Sequence, residues 1–209
     1  MNKIYIFPLS NLVIIPGNII GVIINDDKLL ENIKTNMKFI TSMIKDEKSF
    51  TISEYGCLCE IVNIQRISFN VFIVQLKASK RVKIIEIEFE DIYPYTKNYQ
   101  IIEEKIHGEY RELVEKIINL ANNYIPQLKN ELIKKSIKEK NLCSFTDTIV
   151  SIMKLNPKVK QTFLEEIDCK KRAIKLIEIL EEINKKWPGK IITLKSFLPK
   201  PLTTVIYSN

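Results

Sequence analysis

The stretch that decides the fold reads Ile6-Phe7-Pro8-Leu9-Ser10-Asn11-Leu12-Val13-Ile14-Ile15-Pro16-Gly17. Residues 3–9 are a largely apolar run that is typical of a β-strand, and the closing Pro-Gly pair marks a turn. An Ile-rich, β-branched segment at residues 18–24 follows at once and predicts a second strand. The chain therefore opens with two strands that are joined by an unusually apolar connection.

Period-two patterning continues over most of the first hundred residues. Between residues 26 and 46, Leu29, Leu30, Ile33, Met37, Ile40 and Ile44 instead follow the spacing of a helix with one apolar face, which predicts a helix there. Four short strands are predicted next, at residues 50–53, 56–66, 71–77 and 81–87, with a hairpin tip at residues 68–70. A single helix among roughly six strands disfavours an all-parallel sheet, which needs repeated crossovers.

The rest of the chain has helical spacing. Helices are predicted at residues 106–124, 127–139, 145–154, 157–167 and 170–186, with Asn156-Pro157 and Asp168 as start signals. The short loops favour an antiparallel bundle. The fold class is therefore α+β: a mostly antiparallel β pseudo-barrel with one helix (residues 1–95), a helical bundle (96–186) and a basic tail (187–209).

Composition restricts the class of protein. The chain has 209 residues, 45% of them hydrophobic, which excludes wholesale disorder. No segment is long and apolar enough to span a bilayer, and the start lacks a secretory pattern. Four cysteines at irregular spacing predict buried, reduced thiols and a cytoplasmic location.

The net charge of +7 is weak support for nucleic-acid binding, because only four cations are Arg. The charge runs mix Lys with acidic residues at helical spacing, which is typical of solvated helix faces. We therefore expect neither nucleic acid nor membrane as a partner.

Catalytic and metal-binding patterns are missing from the sequence. His107 is the only histidine, so a two-histidine metal site is excluded. Neither a phosphate-binding glycine loop nor a serine-hydrolase elbow is present. Cys57 and Cys59 project to one side of a strand and are interpreted as packing residues. The sequence predicts no catalytic residue, no metal and no cofactor.

Apolar residues in predicted loops are the candidate site. They either fold back into the core or form an exposed patch that binds another polypeptide. The candidate binding residues are Val13, Ile14, Ile15, Ile19, Phe69 and Phe72.

Several segments, in order, resemble one known family. The opening stretch is similar to the start of the amino-terminal, substrate-recognition domain of Lon proteases. The resemblance continues in residues 55–61, residues 74–84 with Arg81, residues 145–149, and residues 160–168 followed by Arg172. It covers about residues 3 to 186. Ala78 and Ser10 replace a glycine and an arginine of the family pattern, so we expect a differently shaped turn at Ala78.

This resemblance implies a β pseudo-barrel with one helix followed by a helical bundle, which recognises protein substrates and helps to assemble a hexamer. In that family, catalysis belongs to ATPase and protease domains, whose motifs this sequence lacks. Because Trp187-Pro188-Gly189 interrupts the last helix, we expect a stand-alone member of the family.

Three functions follow as hypotheses. The first is a non-catalytic module that binds apolar segments of unfolded or tagged proteins and aids oligomer assembly. The second is an adaptor or regulator that docks on a partner protease or ATPase, such as a full-length Lon. The third, which the charge supports least, is RNA binding.

Overall fold

The computed structural model describes residues 3–36, 38–105, 110–122, 125, 142–186 and 204–205. The chain divides into two compact units. The first contains Met1–Ile102, Leu155–Glu165 and Leu198–Asn209, and the second contains Glu103–Lys154 and Glu166–Phe197. This division differs from the predicted boundaries at residues 95 and 186, because one helical segment of the second half belongs to the β-rich unit.

In the residues that the structure describes, the first unit is built on a nine-stranded sheet. The strands are β1 (Ile4–Leu9), β2 (Ile19–Ile24), β3 (Lys38–Asp46), β4 (Thr51–Ser68), β5 (Val71–Ile84), β6 (Glu88–Glu90), β7 (Tyr93–Thr96), β8 (Tyr99–Ile101) and β9 (Thr204–Val205). Their order in the sheet is β6-β7-β1-β3-β4-β5-β2-β9, and β8 pairs separately with β5. The β1–β3 and β2–β9 pairs are parallel and the others are antiparallel, so the predicted α+β class is confirmed.

The helix predicted over residues 26–46 is wrong in its second half. Helix α1 spans only Asp27–Asn36, and β3 follows it. Phe39, Ile40 and Met43 lie in a central strand between β1 and β4, where both faces are covered. A strand buried on both faces lacks the alternation of apolar and polar residues that marks a half-exposed strand. The apolar residues of β3 therefore also matched the spacing of a helix, which is why the sequence predicted one. The Ile33 side chain and Met37 lie outside the described residues.

Strands β4 and β5 form one long hairpin where the sequence predicts four separate strands. Irregularities of register near Val62, Ile67 and Ser79 interrupt the pairing without ending either strand. Ala78 lies inside β5 and is buried, so the turn expected there is instead a bulge within a strand. The predicted tip is confirmed, because Asn70 has a φ of 57° between the two strands.

The core of the first unit lies on both faces of the sheet. Phe7 and Phe39 pack edge to face, with ring centroids 6.2 Å apart, in a cluster on one face. Ile6 and Ile40, their neighbours in sequence, pack in a second cluster. Because successive side chains of a strand point to opposite faces, β1 and β3 each supply both clusters.

Helix α4 (Pro157–Glu165) carries the polar contacts that join it to this sheet. The buried Gln161 amide donates from Nε2 to Ser53 Oγ at 2.9 Å and to the Tyr55 carbonyl at 3.3 Å. The buried Arg81 guanidinium donates to the Phe163 carbonyl at 3.5 Å. These contacts explain why α4 belongs to the first unit.

The second unit contains α2 (Arg111–Ala121), α3 (Leu142–Ile152) and α5 (Cys169–Lys186). Helices α2 and α3 both pack against α5. The predicted caps are confirmed. Asp168 Oδ1 accepts hydrogen bonds from the Lys170 and Lys171 amides, and Asn156 Oδ1 accepts one from Lys158 at the start of α4.

Some predictions fall on residues that the structure does not describe. The helix at residues 127–139 and His107 lie outside the described residues, as does the tail at residues 187–209 apart from β9. Within the described ranges, none of the helices combines the length and apolar character that a membrane span requires.

Gly56 marks a close approach between β3 and β4. A Cβ atom at this position would lie 2.5 Å from the Thr41 carbonyl oxygen and 2.8 Å from Ile40 Cγ2. A Cβ on Gly21 would lie 3.6 Å from Ile73 Cγ2, which is an ordinary contact. The strand pair at Gly56 therefore requires glycine, whereas β2 does not require it at Gly21.

We expect Gly56→Ala to lower the free energy of unfolding by about 1–3 kcal/mol, because backbone atoms must move to admit the methyl group. The control Gly21→Ala should change it by less than about 0.5 kcal/mol. Urea unfolding followed by circular dichroism measures both. Equal losses in the two variants would contradict the close approach.

Asp26 joins α1 to β7. One carboxylate oxygen accepts a hydrogen bond from the Leu29 amide at 3.0 Å, which caps the helix, and the other accepts one from the Tyr93 hydroxyl at 2.8 Å. Burial, together with this hydrogen bond, raises the pKa of Tyr93 to about 12. The neutral phenol is therefore stabilised in the folded state.

Because the folded-state pKa of Tyr93 exceeds the ordinary value of about 10, its contribution is complete below pH 10 and is lost as the pH rises towards 12. Tyr93→Phe should lower the free energy of unfolding by about 1 kcal/mol at pH 8. The difference from the unmodified chain should shrink at pH 11. A constant difference across this range, measured by urea unfolding, would exclude the linkage.

Candidate binding surface

Val13, Ile14 and Ile15 lie in the core, which is the first of the two alternatives that the sequence left open, so these three candidate binding residues do not form an exposed patch. They are 7%, 3% and 2% exposed. The turn that follows is fixed to β5, since the Gly17 amide donates to the Ala78 carbonyl at 3.0 Å and the Ala78 amide donates to the Asn18 carbonyl at 2.9 Å. Gly17 has a φ of 87°, a conformation that favours glycine. The apolar connection is thus held inward by backbone pairing.

Phe69 lies at the tip of the β4–β5 hairpin and is 82% exposed. The Arg66 guanidinium lies 5.8 Å from the ring centroids of both Phe69 and Phe72, and its Nε donates to the Ser68 carbonyl at 3.2 Å. Phe72 is half-buried against the core cluster that contains Phe7. Phe69 is therefore exposed to solvent, whereas Phe72 packs against the core and is only partly accessible.

Ile19, at the start of β2, is 62% exposed. Directly opposed residues of neighbouring strands share a face of the sheet, so the pairing defines its surroundings. Ile19 lies opposite Lys77, which in turn lies opposite Glu60. We call such a set of directly opposed residues on β2, β5 and β4 a row. The next two rows on the same face are Gly21-Gln75-Asn63 and Ile23-Ile73-Gln65.

These rows extend the candidate surface beyond the residues that the sequence indicated. Ile23 and Ile73 form an aliphatic cross-strand pair and are half-buried, and Val62 and Ile67 are each 53% exposed at register shifts of β4. The exposure of Val62 and Ile67 could not be predicted from the alternation of inward and outward side chains along a strand, because each lies at a bulge that interrupts this alternation. We call these residues together the distal surface: Ile19, Ile23 and Ile73 share the face of these rows, and Val62, Ile67 and Phe69 are the exposed apolar residues of β4 and of the hairpin tip.

The distal surface combines apolar side chains with amides and a cation. Gln65, Gln75, Asn63 and Lys77 lie in its rows. Arg66 follows Gln65 in β4 and lies opposite Phe72, so it belongs to the other face of the sheet. The acid nearest to Lys77 in the pairing, Glu60, lies 3.6 Å from the Lys38 ammonium. These groups offer a partner apolar contact and hydrogen bonds.

The cysteines fall into two kinds. Cys57 and Cys59 are outside any disulfide and are buried in the core, as the packing interpretation predicts. Cys143 and Cys169 instead form a disulfide between α3 and α5, so the prediction that all four are reduced thiols is wrong. Their separation of 26 residues matches no short pair motif, which is why the sequence did not indicate the bond. Together with Glu104 they also form a group that could hold a metal ion.

The comparisons with known proteins agree with this architecture. The model of the substrate-binding domain of the ATP-dependent protease La (Lon) matches residues 3–182. The chain belongs to this family. It therefore shares with Lon substrate-binding domains both the β-rich unit and the helices that follow it.

Two relatives from the curated proteins are named Lon protease. The one from Dictyoglomus thermophilum is 28% identical over 201 residues and that from Halothermothrix orenii is 25% identical over 190 residues, covering 86% and 82% of this chain. The matches cover 25% and 24% of those proteins, so the chain spans about a quarter of the length of the relatives.

Solved structures show the same fold. The Lon N-terminal domain protein from Xanthomonas campestris matches with a TM-score of 0.64 at 16% identity, over 85% of this chain and 98% of that one. The N-terminal domain of Lon protease from the Mycobacterium avium complex matches with a TM-score of 0.62 at 13% identity, over 87% and 99%. At these identities, the likeness establishes the fold alone.

The contrast between Ile14 and Ile19 is directly testable, because the two residues are five positions apart and differ in burial. Ile14→Asp should lower the free energy of unfolding by more than about 3 kcal/mol, since it places an unpaired carboxylate in the core. Ile19→Asp should change it by less than about 1 kcal/mol. Similar losses on chemical unfolding would contradict the burial of the connection.

Proposed function

We propose that this chain is a non-catalytic module that binds exposed apolar segments of protein substrates through the distal surface. The observation that carries the proposal is the 82% exposure of Phe69 at the tip of a hairpin whose strand β4 carries two more half-exposed aliphatic residues, Val62 and Ile67. A large apolar side chain held in solvent by an ordered hairpin costs free energy in the unbound protein, and contact with an apolar partner removes that cost. The family's description as a substrate-binding domain supports the same conclusion.

Unfolded chains are the substrates that fit this surface. They expose aliphatic and aromatic side chains that folded proteins bury, together with backbone groups that need hydrogen-bond partners. The amides of Gln65, Gln75 and Asn63 supply such partners beside the apolar residues. Each desolvated anchor contributes about 1–3 kcal/mol, so several must be engaged before binding overcomes the loss of freedom on association.

The second part of the proposal is that the chain forms oligomers and docks on a Lon-type protease. The relatives are named as proteases and are about four times the length of the matched region, and binding by this module would supply substrates to such an enzyme. We place this activity in the cytoplasm. Sedimentation of the pure chain, with and without a full-length Lon, tests assembly and docking separately from substrate binding.

The binding proposal predicts a specific loss of affinity. The double variant Phe69→Ser with Ile19→Ser should weaken binding of a fluorescently labelled, chemically unfolded model protein by at least tenfold, because two exposed anchors are removed. Fluorescence anisotropy measures the affinity. The folded form of the same labelled protein should bind to neither the variant nor the unmodified chain.

A matched control uses exposed apolar residues elsewhere in the same unit. Phe89, which is 53% exposed on β6, and Ile92, which is 48% exposed, provide the variant Phe89→Ser with Ile92→Ser. This variant should retain its affinity. Equal effects of the two double variants, with melting temperatures unchanged, would overturn the assignment to the distal surface. A steep loss of binding with added salt would instead indicate an electrostatic mode, as expected for RNA.

A further inference from the structure

The second unit contains a cysteine pair that the binding surface does not use. Cys143 is the second residue of α3 and Cys169 is the first residue of α5, and both are fully buried. Their Cα atoms lie 5.0 Å apart, within the range that a disulfide requires. The same helices can therefore hold the two sulfur atoms as a disulfide or, with little movement, as neighbouring thiols.

A buried cation lies beside this pair. The Arg172 guanidinium is fully buried and donates from Nη2 to Cys169 Sγ at 3.3 Å and to Glu104 Oε1 at 2.8 Å. Its Nη1 donates to the Glu166 carbonyl at 3.0 Å, and its Nε lies 3.7 Å from Asp147 Oδ1. A guanidinium next to sulfur favours the thiolate, which is the form that reacts in disulfide exchange. Of the two sulfur atoms, that of Cys169 is the one that accepts a hydrogen bond from this cation.

The same cation argues against a metal ion. The candidate ligand atoms of Glu104, Cys143 and Cys169 lie within 4.8 Å of one another. However, Arg172 Nη2 already bonds both the Glu104 carboxylate and Cys169 Sγ. A metal ion there would have to displace a buried guanidinium, or remain next to its positive charge, and either event is costly.

We propose that Cys143 and Cys169 are a reversible thiol–disulfide exchange site that takes low-molecular-weight disulfides such as oxidised glutathione. The Cys169 thiolate attacks one sulfur of the small disulfide, its S–S bond breaks, and one small thiolate leaves with the electron pair. The Cys143 thiolate then attacks Cys169 Sγ in the mixed disulfide and releases the second small thiol. The two cysteines together lose two electrons and two protons, and one small disulfide becomes two thiols.

Oxidation closes a covalent loop in the chain. The bond joins the start of α3 to the start of α5, and the 26-residue separation contains all of α4. Closing such a loop restricts the unfolded chain and so stabilises the folded one. Because both sulfur atoms are buried, exchange requires local opening of α3 or α5 and should be slow. In a reducing cytoplasm the site would report a shift to oxidising conditions as a gain in stability of the helices.

The first experiment incubates the full chain in buffers of varied reduced-to-oxidised glutathione ratio and alkylates it after denaturation. Mass spectrometry should show Cys143 and Cys169 protected together at oxidising ratios and alkylated together at reducing ratios. Cys57 and Cys59 should be alkylated throughout and serve as an internal control. The melting temperature of the oxidised form should exceed that of the reduced form by about 5–10 °C.

Two variants identify the nucleophile. Cys143→Ser should accumulate a glutathione adduct on Cys169, whereas Cys169→Ser should form the adduct on Cys143 at least tenfold more slowly. Glu104→Gln removes a carboxylate that neutralises Arg172, so adduct formation in a Cys143→Ser background should become several-fold faster. The pH at which the rate of adduct formation reaches half its maximum should be lower in the Glu104→Gln variant. A purely structural role of Glu104 would not produce this shift.

Three results would overturn the proposal. The first is alkylation of Cys143 and Cys169 at every glutathione ratio, which would mean that no disulfide forms. The second is a disulfide that persists at the most reducing ratio in the native protein, which would make it a permanent crosslink. The third is an equal rate of adduct formation at the two cysteines, which would remove the role of Arg172.

Discussion

Burial of β1 and β3 on both faces is the constraint on which the rest of the β-rich unit depends. These two strands are parallel neighbours, so the chain between them cannot turn back in a hairpin and must cross over. The connection between these strands makes that crossover, and it delivers β2 to the far side of β5 before α1 returns the chain to β3. The apolar connection at Val13–Ile15 is buried because it lies on this route. The distal surface, in turn, exists because β2 joins the outer part of the β4–β5 hairpin.

The sequence predicted the structure correctly where a feature depends on residues that are close together in the chain. The Pro16-Gly17 turn, the Asn156 and Asp168 caps and the Phe69 tip each depend on residues within a few positions, and each was predicted from the sequence. Residues 38–46 were not, because whether Ile40 belongs to a helix or to a strand depends on β1 and β4, which lie elsewhere in the chain. The burial of Ile14 likewise depends on Ala78, and the Cys143–Cys169 bond depends on the packing of α3 against α5.

The candidate site shows the same division. Exposure of Phe69 follows from its place at a turn, and Ile19 begins a strand directly after one. The other apolar residues of the surface are the pair Ile23 and Ile73 and the bulged Val62 and Ile67. Their positions depend on the register between strands, which cannot be read from a short segment of sequence. Membership of the Lon substrate-binding domain family was visible in a few ordered motifs. The side chains that we propose as the binding surface differ from the apolar stretch that carries the clearest of those motifs, since residues 13–15 of that stretch are core.

The placement of α4 has a consequence for how the molecule is made. Ser53 Oγ and the Tyr55 carbonyl in β4 each accept a hydrogen bond from Gln161, more than a hundred residues later in the chain. During synthesis from the amino terminus, the β-rich unit therefore cannot be completed until the ribosome has released α4 and, after it, β9, by which time the helices of the second unit have already been synthesised. A nascent chain arrested near residue 102 would display an unfinished sheet, so cotranslational assembly of the two units is interleaved and not sequential.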